Sequence, residues 1–190
     1  VHIIGGIGSR FIIFFINITV AVSFCIGEAS EYALVLGWAN ALAALSFNPL
    51  GNLFRKLQIE SKPSYISSYF FGVIILTLIV VAVFFLFSDI VFLTSTLMKQ
   101  LLLPLTVSLS LVYFTSYVVV ENNKLLAYNF AIVTGYLILL AIFQFFKLTV
   151  WDVLVIYSFI NVLISMFFLR FRLSLSNLFE FKSVISKNLK

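Results

Sequence analysis

Gly72–Phe87, which reads GVIILTLIVVAVFFLF, indicates the fold class of the chain. It lies inside an uncharged window, Pro63–Ser88, which is long enough for a helix to cross the hydrocarbon core of a membrane, about 30 Å thick. A strand of a membrane barrel alternates between apolar and polar residues over about 10 residues, and this stretch does not alternate. Its continuous apolar run therefore predicts a transmembrane helix that faces lipid and excludes a barrel.

The rest of the chain has the same apolar character. Of its 190 residues, 63% are hydrophobic and 10% are charged, whereas a soluble domain is about 45–50% apolar and about 25% charged. This composition excludes a water-soluble globular domain. One cysteine, Cys25, and one histidine, His2, form neither a disulfide framework nor a zinc site made by the protein alone, so we expect no metal and no cofactor.

Charged residues mark the ends of the other spans, because a charge at the centre of a bilayer costs roughly 2.5–3.5 kcal/mol on insertion scales. Six uncharged windows have the length of a transmembrane helix: Phe11–Gly27, Tyr32–Phe54, Pro63–Ser88, Gln100–Val120, Leu125–Phe146 and Val153–Leu169. We therefore predict an all-α membrane protein, a bundle of six transmembrane helices in residues 1–173. The predicted spans are about 7–26, 32–50, 65–87, 101–120, 125–146 and 153–169. Residues 174–190 mix apolar and basic side chains and predict an amphipathic cytoplasmic tail.

The distribution of lysine and arginine over the loops predicts the orientation of the bundle. Ten of the twelve basic residues fall on one side of the six predicted spans, and only Lys99 and Lys147 fall on the other. Cytoplasmic loops collect basic residues, so both termini are predicted to be cytoplasmic. Because the basic residues flank apolar spans, their expected partners are anionic lipid headgroups and not nucleic acid.

Polar residues inside the spans recur at helical spacing, which marks faces turned toward other helices or water. The second span carries the clearest stripe: Gly37, Asn40, Ala44, Asn48, Gly51 and Arg55. Shorter stripes follow the fourth, fifth and sixth spans: Thr106, Ser110, Tyr113, Tyr117 and Glu121; Asn129, Tyr136 and Gln144; Tyr157, Asn161 and Ser165. The first span places Arg10 two turns before Asn17. The third span has no such stripe, so we expect it at the periphery of the bundle.

Two interpretations of these polar faces remain open. Small and amide-bearing faces join helices, with hydrogen bonds worth about 0.6 kcal/mol on average in one well-studied bundle. The same faces can also line a polar cavity. Arg10 and Arg55 are either anchors that reach the headgroup region or ligands that hold a phosphate through paired hydrogen bonds.

Residues with catalytic potential are few. The predicted span boundaries place Glu28 and Glu31 in a short solvated loop, and no histidine, metal ligand or nucleophile accompanies them. Asp89 and Asp152 are single residues in outer loops. We therefore predict no catalytic residues and no enzyme. A membrane-embedded glycosyl- or acyltransferase that uses lipid-linked substrates is the alternative from the enzyme class.

Several segments follow one another in the order and spacing of a transporter family. They are Arg10-Phe11-Ile12-Ile13, Ile26-Gly27-Glu28-Ala29-Ser30-Glu31-Tyr32-Ala33, Leu50-Gly51-Asn52-Leu53-Phe54-Arg55 and Asn122-Asn123-Lys124. Over essentially its whole length the chain resembles polysaccharide-export flippases of the O-antigen type, within the multidrug, oligosaccharidyl-lipid and polysaccharide exporter superfamily. Phe24 departs from the pattern, because the family commonly has an arginine shortly before the first loop.

The resemblance implies a function. Such flippases move an undecaprenyl-diphosphate-linked oligosaccharide, for example an O-antigen repeat unit of lipopolysaccharide, across the bacterial inner membrane by alternating access. Arg10 and Arg55 would then bind the phosphates, and Asn17, Asn40 and Asn48 the sugar hydroxyls.

The resemblance also implies partners. Family members usually have roughly twice this number of spans, in two similar lobes, so we expect this chain, which starts without methionine, to be the amino-terminal lobe. Its expected partners are the lipid-linked oligosaccharide, membrane lipids and the carboxy-terminal lobe. A lobe of a multidrug exporter is the alternative within the superfamily.

Overall fold

A computed structural model of the chain is all-helical over the residues that the structure describes, which are 2–58, 64–88, 96–121 and 124–169. Side chains are described from Ile13 onward in the first helix and as far as Asn48 in the second. Six helices follow one another in these ranges: α1 (His2–Ser23), α2 (Ile26–Gln58), α3 (Ser64–Ser88), α4 (Thr96–Glu121), α5 (Leu125–Phe145) and α6 (Val150–Leu169). The predicted tail, 174–190, lies outside the described residues.

Length and hydropathy determine which of these helices can cross a membrane. Within the described ranges, four segments are long and apolar enough: Tyr69–Phe87, Lys99–Val119, Leu125–Phe145 and Val150–Leu169. A shorter apolar segment, Ile13–Ser23, ends α1. Large apolar side chains such as Leu86, Phe130 and Phe159 are exposed, as expected of helices surrounded by lipid. The prediction of an all-helical membrane protein is confirmed, and the crossing of all six helices stays a prediction.

The second helix is longer than the predicted span 32–50. α2 comprises 33 residues, Ile26–Gln58, and at 1.5 Å per residue it is about 50 Å long. Glu28 and Glu31 therefore lie in its first two turns and not in a solvated loop, so the loop assigned to them from the sequence is wrong. Because the hydrocarbon core is about 30 Å thick, a helix of this length extends beyond it.

Local chemistry explains why α2 begins so early. The carboxylate of Glu28 lies in the first turn, where the helix dipole stabilises a negative charge. The Ser30 hydroxyl donates to the Gly27 carbonyl oxygen at 2.7 Å. The turn between α1 and α2 is therefore confined to Phe24 and Cys25.

Asp152 has a structural role at the start of α6. The Thr149 backbone N–H and hydroxyl both donate to the Asp152 Oδ2, at 2.8 and 2.7 Å, and the Asp152 N–H lies 3.2 Å from the Thr149 hydroxyl oxygen. This reciprocal pattern is a capping box, which satisfies N–H groups that the first turn of a helix leaves without partners. Thr149 is therefore the N-cap of α6, and Asp152, in the first turn of the helix, completes the box.

α4 is the central helix of the bundle, because it packs against α2, α3, α5 and α6. α1 packs mainly on α5 and touches α2 over only a few residues. α3 contacts α2 and α4 and exposes its other face, where Ile75, Ile79 and Leu86 lie at the surface. α3 is therefore peripheral, as its sequence predicts, and the weak contact between α1 and α2 leaves room for a groove.

Candidate binding groove and interior polar network

A groove opens on the surface of the bundle where α1 and α2 diverge. It encloses about 340 Å³, and small-molecule sites commonly have volumes of about 300–1,000 Å³. Its lining combines amide and hydroxyl groups with small and aliphatic side chains: Asn17, Val20 and Ala21 from α1, and Ala29, Tyr32, Ala33, Leu36, Gly37 and Asn40 from α2. Two of the five predicted binding residues, Asn17 and Asn40, therefore line the same groove.

Asn17 and Tyr32 join the two walls of the groove. The Tyr32 hydroxyl donates to the Asn17 Oδ1 at 3.1 Å. Tyr32 is 4% exposed, whereas Asn17 is exposed, so the tyrosine holds the amide from inside the bundle. A carboxamide has two N–H donors and two acceptor lone pairs. This bond uses one lone pair, and the rest of the Asn17 amide can bind a ligand in the groove.

Asn40 makes more contacts within the protein than Asn17 does. Its Nδ2 donates to the Leu36 carbonyl oxygen, one turn earlier in α2, at 2.9 Å. The Tyr113 hydroxyl of α4 donates to its Oδ1 at 3.4 Å, which is a long and therefore weak bond. Asn40 is half-buried and lines the groove as well. Both interpretations of the α2 stripe, helix joining and cavity lining, apply to this residue.

The rest of the α2 stripe extends beyond the groove. Gly37 lies in the groove wall, and nothing lies within 4 Å of the position that a Cβ would take there. Asn48 is exposed but is not among the residues that line the groove. Arg10 lies within α1 and Arg55 within α2, and their side chains lie outside the described residues. Phosphate binding by the two arginines therefore stays a prediction.

Tyr32 is the groove residue that the sequence interpretation misses. It lies two turns before Asn40 on the same face of α2, at steps of four through Leu36. The stripe predicted from the sequence begins at Gly37, although the predicted span 32–50 already includes Tyr32. The steps of four from Tyr32 through Leu36 to Asn40 are the signal that the sequence offers.

A second polar cluster lies inside the bundle, between α5 and α6. The Tyr136 hydroxyl donates to the Asn161 Oδ1 at 2.8 Å, and the rings of Tyr136 and Tyr157 stack with centroids 5.2 Å apart. The Tyr128 hydroxyl donates to the Val112 carbonyl oxygen of α4 at 3.2 Å. The three tyrosines and Asn161 are all buried. Tyr136 of the fifth-span stripe therefore meets Tyr157 and Asn161 of the sixth-span stripe inside the bundle, where they join helices, whereas Asn129 is half-buried and Gln144 is exposed.

Hydroxyl groups make further polar contacts in the interior. Thr77 of α3 and Ser110 of α4 share a hydrogen bond of 3.0 Å between their hydroxyls. The Ser158 hydroxyl of α6 donates to the Pro104 carbonyl oxygen of α4 at 3.2 Å. Other buried hydroxyls donate to carbonyl groups of their own helix: Ser46, Thr106 and Ser108. These side chains act in packing and not in the groove.

The bond between Tyr136 and Asn161 gives a stability prediction. Tyr136→Phe keeps the ring and removes the hydroxyl, which leaves the buried Asn161 amide without this partner. We expect the free energy of unfolding to fall by about 1–2 kcal/mol, near the upper end for such bonds in membrane bundles. Tyr32→Phe is the matched control, and its loss should be smaller because its partner, Asn17, is exposed. Thermal unfolding in detergent measures both, and a larger loss in Tyr32→Phe would contradict this ranking.

Metal-binding side chains are sparse in the part of the chain that the structure describes. It contains no group of three or more histidine, cysteine, aspartate or glutamate side chains placed to hold a metal ion.

Comparison of the chain with known protein families, curated proteins and solved structures finds no match. A functional assignment therefore depends on the groove and on the order of the sequence segments.

Proposed function

We propose that the chain is one lobe of a membrane exporter that moves an undecaprenyl-diphosphate-linked oligosaccharide, such as an O-antigen repeat unit, across the bacterial inner membrane by alternating access. The observation that carries the proposal is the groove between α1 and α2. There, the amides of Asn17 and Asn40 line an opening on the surface of a bundle whose exterior is largely apolar, and the buried Tyr32 hydroxyl holds one of them. The order of the segments that resemble O-antigen flippases supports the same function.

The groove suits the headgroup of such a lipid. Sugar hydroxyls both donate and accept hydrogen bonds, and a carboxamide pairs with them through its N–H and carbonyl groups. Asn17 and Asn40 provide amides inside the groove, and Asn48 provides another on the exposed part of α2. The polyprenyl tail is apolar and stays in lipid, beside exposed side chains such as Leu34 and Leu45.

Arg10 and Arg55 are the proposed ligands of the diphosphate. A guanidinium group forms paired, charge-assisted hydrogen bonds with phosphate oxygens. In the orientation predicted from the basic residues, Arg10 in α1 and Arg55 in α2 lie toward the cytoplasmic side, where the lipid-linked substrate enters. The sugar would then extend from the two arginines toward the amides of the groove.

Replacement of both arginines in the full-length protein tests this assignment. Arg10→Ala combined with Arg55→Ala is expected to reduce surface polysaccharide at least about tenfold, because a hydrogen bond to a charged group contributes about 1.5–3 kcal/mol. The matched control is Arg10→Lys with Arg55→Lys, which keeps both charges and the orientation signal but removes the paired geometry; we expect intermediate export. Undiminished polysaccharide in the alanine variant, at a normal protein level in the membrane, would overturn the assignment.

Cys25 provides a test of the proposed orientation. It is the one cysteine of the chain and is exposed at the turn between α1 and α2, which the orientation places outside the cytoplasm. We expect a membrane-impermeant maleimide to label Cys25 in spheroplasts. The control is Cys25→Ser with Lys124→Cys, because Lys124 is exposed between α4 and α5 and should react only after the membrane is opened. The reverse pattern would contradict two cytoplasmic termini.

Two other functions have distinct outcomes with purified full-length protein in liposomes. A flippase moves a fluorescent lipid-linked sugar from one leaflet to the other and releases no new compound. A membrane-embedded glycosyl- or acyltransferase converts that lipid to a product of different mass. A multidrug exporter moves an amphipathic dye and leaves the lipid-linked sugar where it is.

A further inference from the structure

A second groove, the α4–α6 groove, is largely apolar, unlike the groove between α1 and α2. It encloses about 240 Å³. Its walls are formed by Leu101, Pro104 and Leu105 from α4 and by Val155, Phe159 and Val162 from α6. Ser158 is the polar residue in the described lining, and its hydroxyl already donates to the Pro104 carbonyl oxygen at 3.2 Å. The α4–α6 groove therefore suits a hydrocarbon chain and not a sugar.

Both walls of the α4–α6 groove belong to segments that can cross a membrane, Lys99–Val119 and Val150–Leu169. From Val155 to Val162 the groove follows α6 for seven residues, or about 10 Å. One leaflet contributes half of a hydrocarbon core about 30 Å thick, so this length covers about two thirds of a leaflet. The Phe159 side chain is exposed beside the groove, which is therefore accessible to the acyl chains of surrounding lipid.

The end of the α4–α6 groove nearest the start of α6 has the features of a membrane interface. Phe145, Phe146 and Trp151 expose aromatic side chains there, and aromatic residues such as tryptophan concentrate at the headgroup level of a bilayer. Lys147 is exposed among them. Trp151 precedes Val155 by one turn on the same face of α6. The headgroup of a lipid whose chain fills the groove therefore lies over Trp151 and the turn before α6.

A carboxylate and a cation flank this headgroup position. Asp152 precedes Val155 by three residues and Phe159 by seven, so it also lies on the groove face of α6. The Thr149 N–H and hydroxyl hold its carboxylate by donating to Oδ2. Lys147 is two residues before Thr149, a separation of at most about 7 Å along the chain. One headgroup that carries both a negative and a positive charge can therefore reach both side chains.

We propose that this site binds one phosphatidylethanolamine molecule of the surrounding membrane. One acyl chain fills the α4–α6 groove, the phosphate pairs with the Lys147 ammonium, and the protonated amine pairs with the Asp152 carboxylate. Phosphatidylglycerol has the phosphate but no amine, and a polyprenyl diphosphate adds negative charge beside Asp152. The charges at the end of the groove therefore favour phosphatidylethanolamine over both. In the orientation predicted from the basic residues, the site lies in the outer leaflet.

Photocrosslinking tests the site in the full-length protein, purified in detergent. The probe is a phosphatidylethanolamine that carries a diazirine in one acyl chain. We expect saturable crosslinks to residues that line the α4–α6 groove. Unlabelled phosphatidylethanolamine should displace the probe at a concentration roughly three- to fivefold lower than phosphatidylglycerol does, because one ion pair at an exposed site separates the two lipids.

Charge variants identify the headgroup contacts. Asp152→Asn keeps an oxygen for the bonds from Thr149 but removes the charge, and it should abolish the preference over phosphatidylglycerol. Lys147→Gln should weaken the binding of both lipids by roughly three- to fivefold. Lys99→Gln is the matched control, because Lys99 is exposed and lies two residues before Leu101, on the opposite face of α4. It should leave the binding of both lipids unchanged.

A groove-filling variant tests the place of the acyl chain. Val162→Trp should reduce the crosslinks in the α4–α6 groove several-fold. Leu163→Trp is the control at the next residue, because Leu163 is exposed and lies outside the described lining. The charge variants remain a test if Val162→Trp fails to fold. Equal displacement of the probe by all phospholipids, stronger displacement by undecaprenyl diphosphate, or unchanged crosslinks in a folded Val162→Trp protein would overturn the proposal.

Discussion

Gly135→Leu is expected to force α5 away from α6 and to lower the free energy of unfolding by about 3 kcal/mol or more. A Cβ at this position would lie 2.6 Å from the Ile160 Cγ2 and 3.0 Å from the Ile164 Cδ1, and leucine adds further carbon atoms beyond it. Ile160 is β-branched, so its Cγ2 moves only if the stiff first torsion or the backbone moves. We expect the midpoint of thermal unfolding in detergent to fall accordingly.

Gly135→Ala and Gly27→Leu are the controls for this effect. Alanine is about 1 kcal/mol more favourable than glycine inside a helix, and this gain offsets part of the clash. The free energy of unfolding should therefore fall less in Gly135→Ala than in Gly135→Leu. Nothing lies within 4 Å of the position of a Cβ at Gly27, and Gly27→Leu should leave the midpoint unchanged or raise it. A Gly135→Leu protein as stable as its parent would show that α5 and α6 do not pack as the structure has them.

Gly37→Phe is expected to remove most transport and to leave the fold intact. Because nothing lies within 4 Å of the position of a Cβ at Gly37, the Cβ of a larger side chain fits there without a clash. The ring then occupies part of a groove of about 340 Å³. We expect translocation of the lipid-linked sugar to fall at least about tenfold, which corresponds to about 1.4 kcal/mol. Proteoliposomes measure this rate, and the thermal midpoint measures the fold.

Gly27→Phe is the matched control for Gly37→Phe. Gly27 also belongs to α2 and also has open space around its Cβ position, but it does not line the groove. We expect its transport rate to equal that of the parent. Equal loss in the two variants would indicate that an added aromatic ring on α2 disturbs transport in general, and it would remove the groove as the binding site.

The sequence predicts the helices best where charged residues bound the apolar run. α3, α5 and α6 begin and end within three residues of the predicted spans 65–87, 125–146 and 153–169. The prediction fails at the start of α2, because Glu28 and Glu31 are interpreted as loop residues. In the structure they lie in the first turns of a helix that is longer than a membrane span, where an acidic side chain is favourable.

The polar stripes are predictable, but the partners of each stripe are not. Periodicity places Asn40 on one face of α2 and Asn161 on one face of α6. Periodicity does not predict that Asn161 contacts Tyr136 inside the bundle. It also does not predict that Asn40 lies at a surface groove. That difference depends on which helices pack together, and such contacts are distant in sequence.

The groove itself arises from an arrangement that the chain order disfavours. Consecutive helices joined by a short turn usually pack side by side, yet α1 packs mainly on α5. A ring contact between Phe24 and Phe143, with centroids 5.6 Å apart, is one of the contacts that favour α5. α1 therefore diverges from α2, and the groove is a tertiary feature that composition and spacing do not reveal.

The decisive measurement is the leaflet-to-leaflet movement of a fluorescent undecaprenyl-diphosphate oligosaccharide in liposomes that contain the purified full-length protein. We expect translocation by the parent and by Gly27→Phe, and little translocation by Gly37→Phe. No movement by the well-folded parent protein, or undiminished movement by Gly37→Phe, would contradict it.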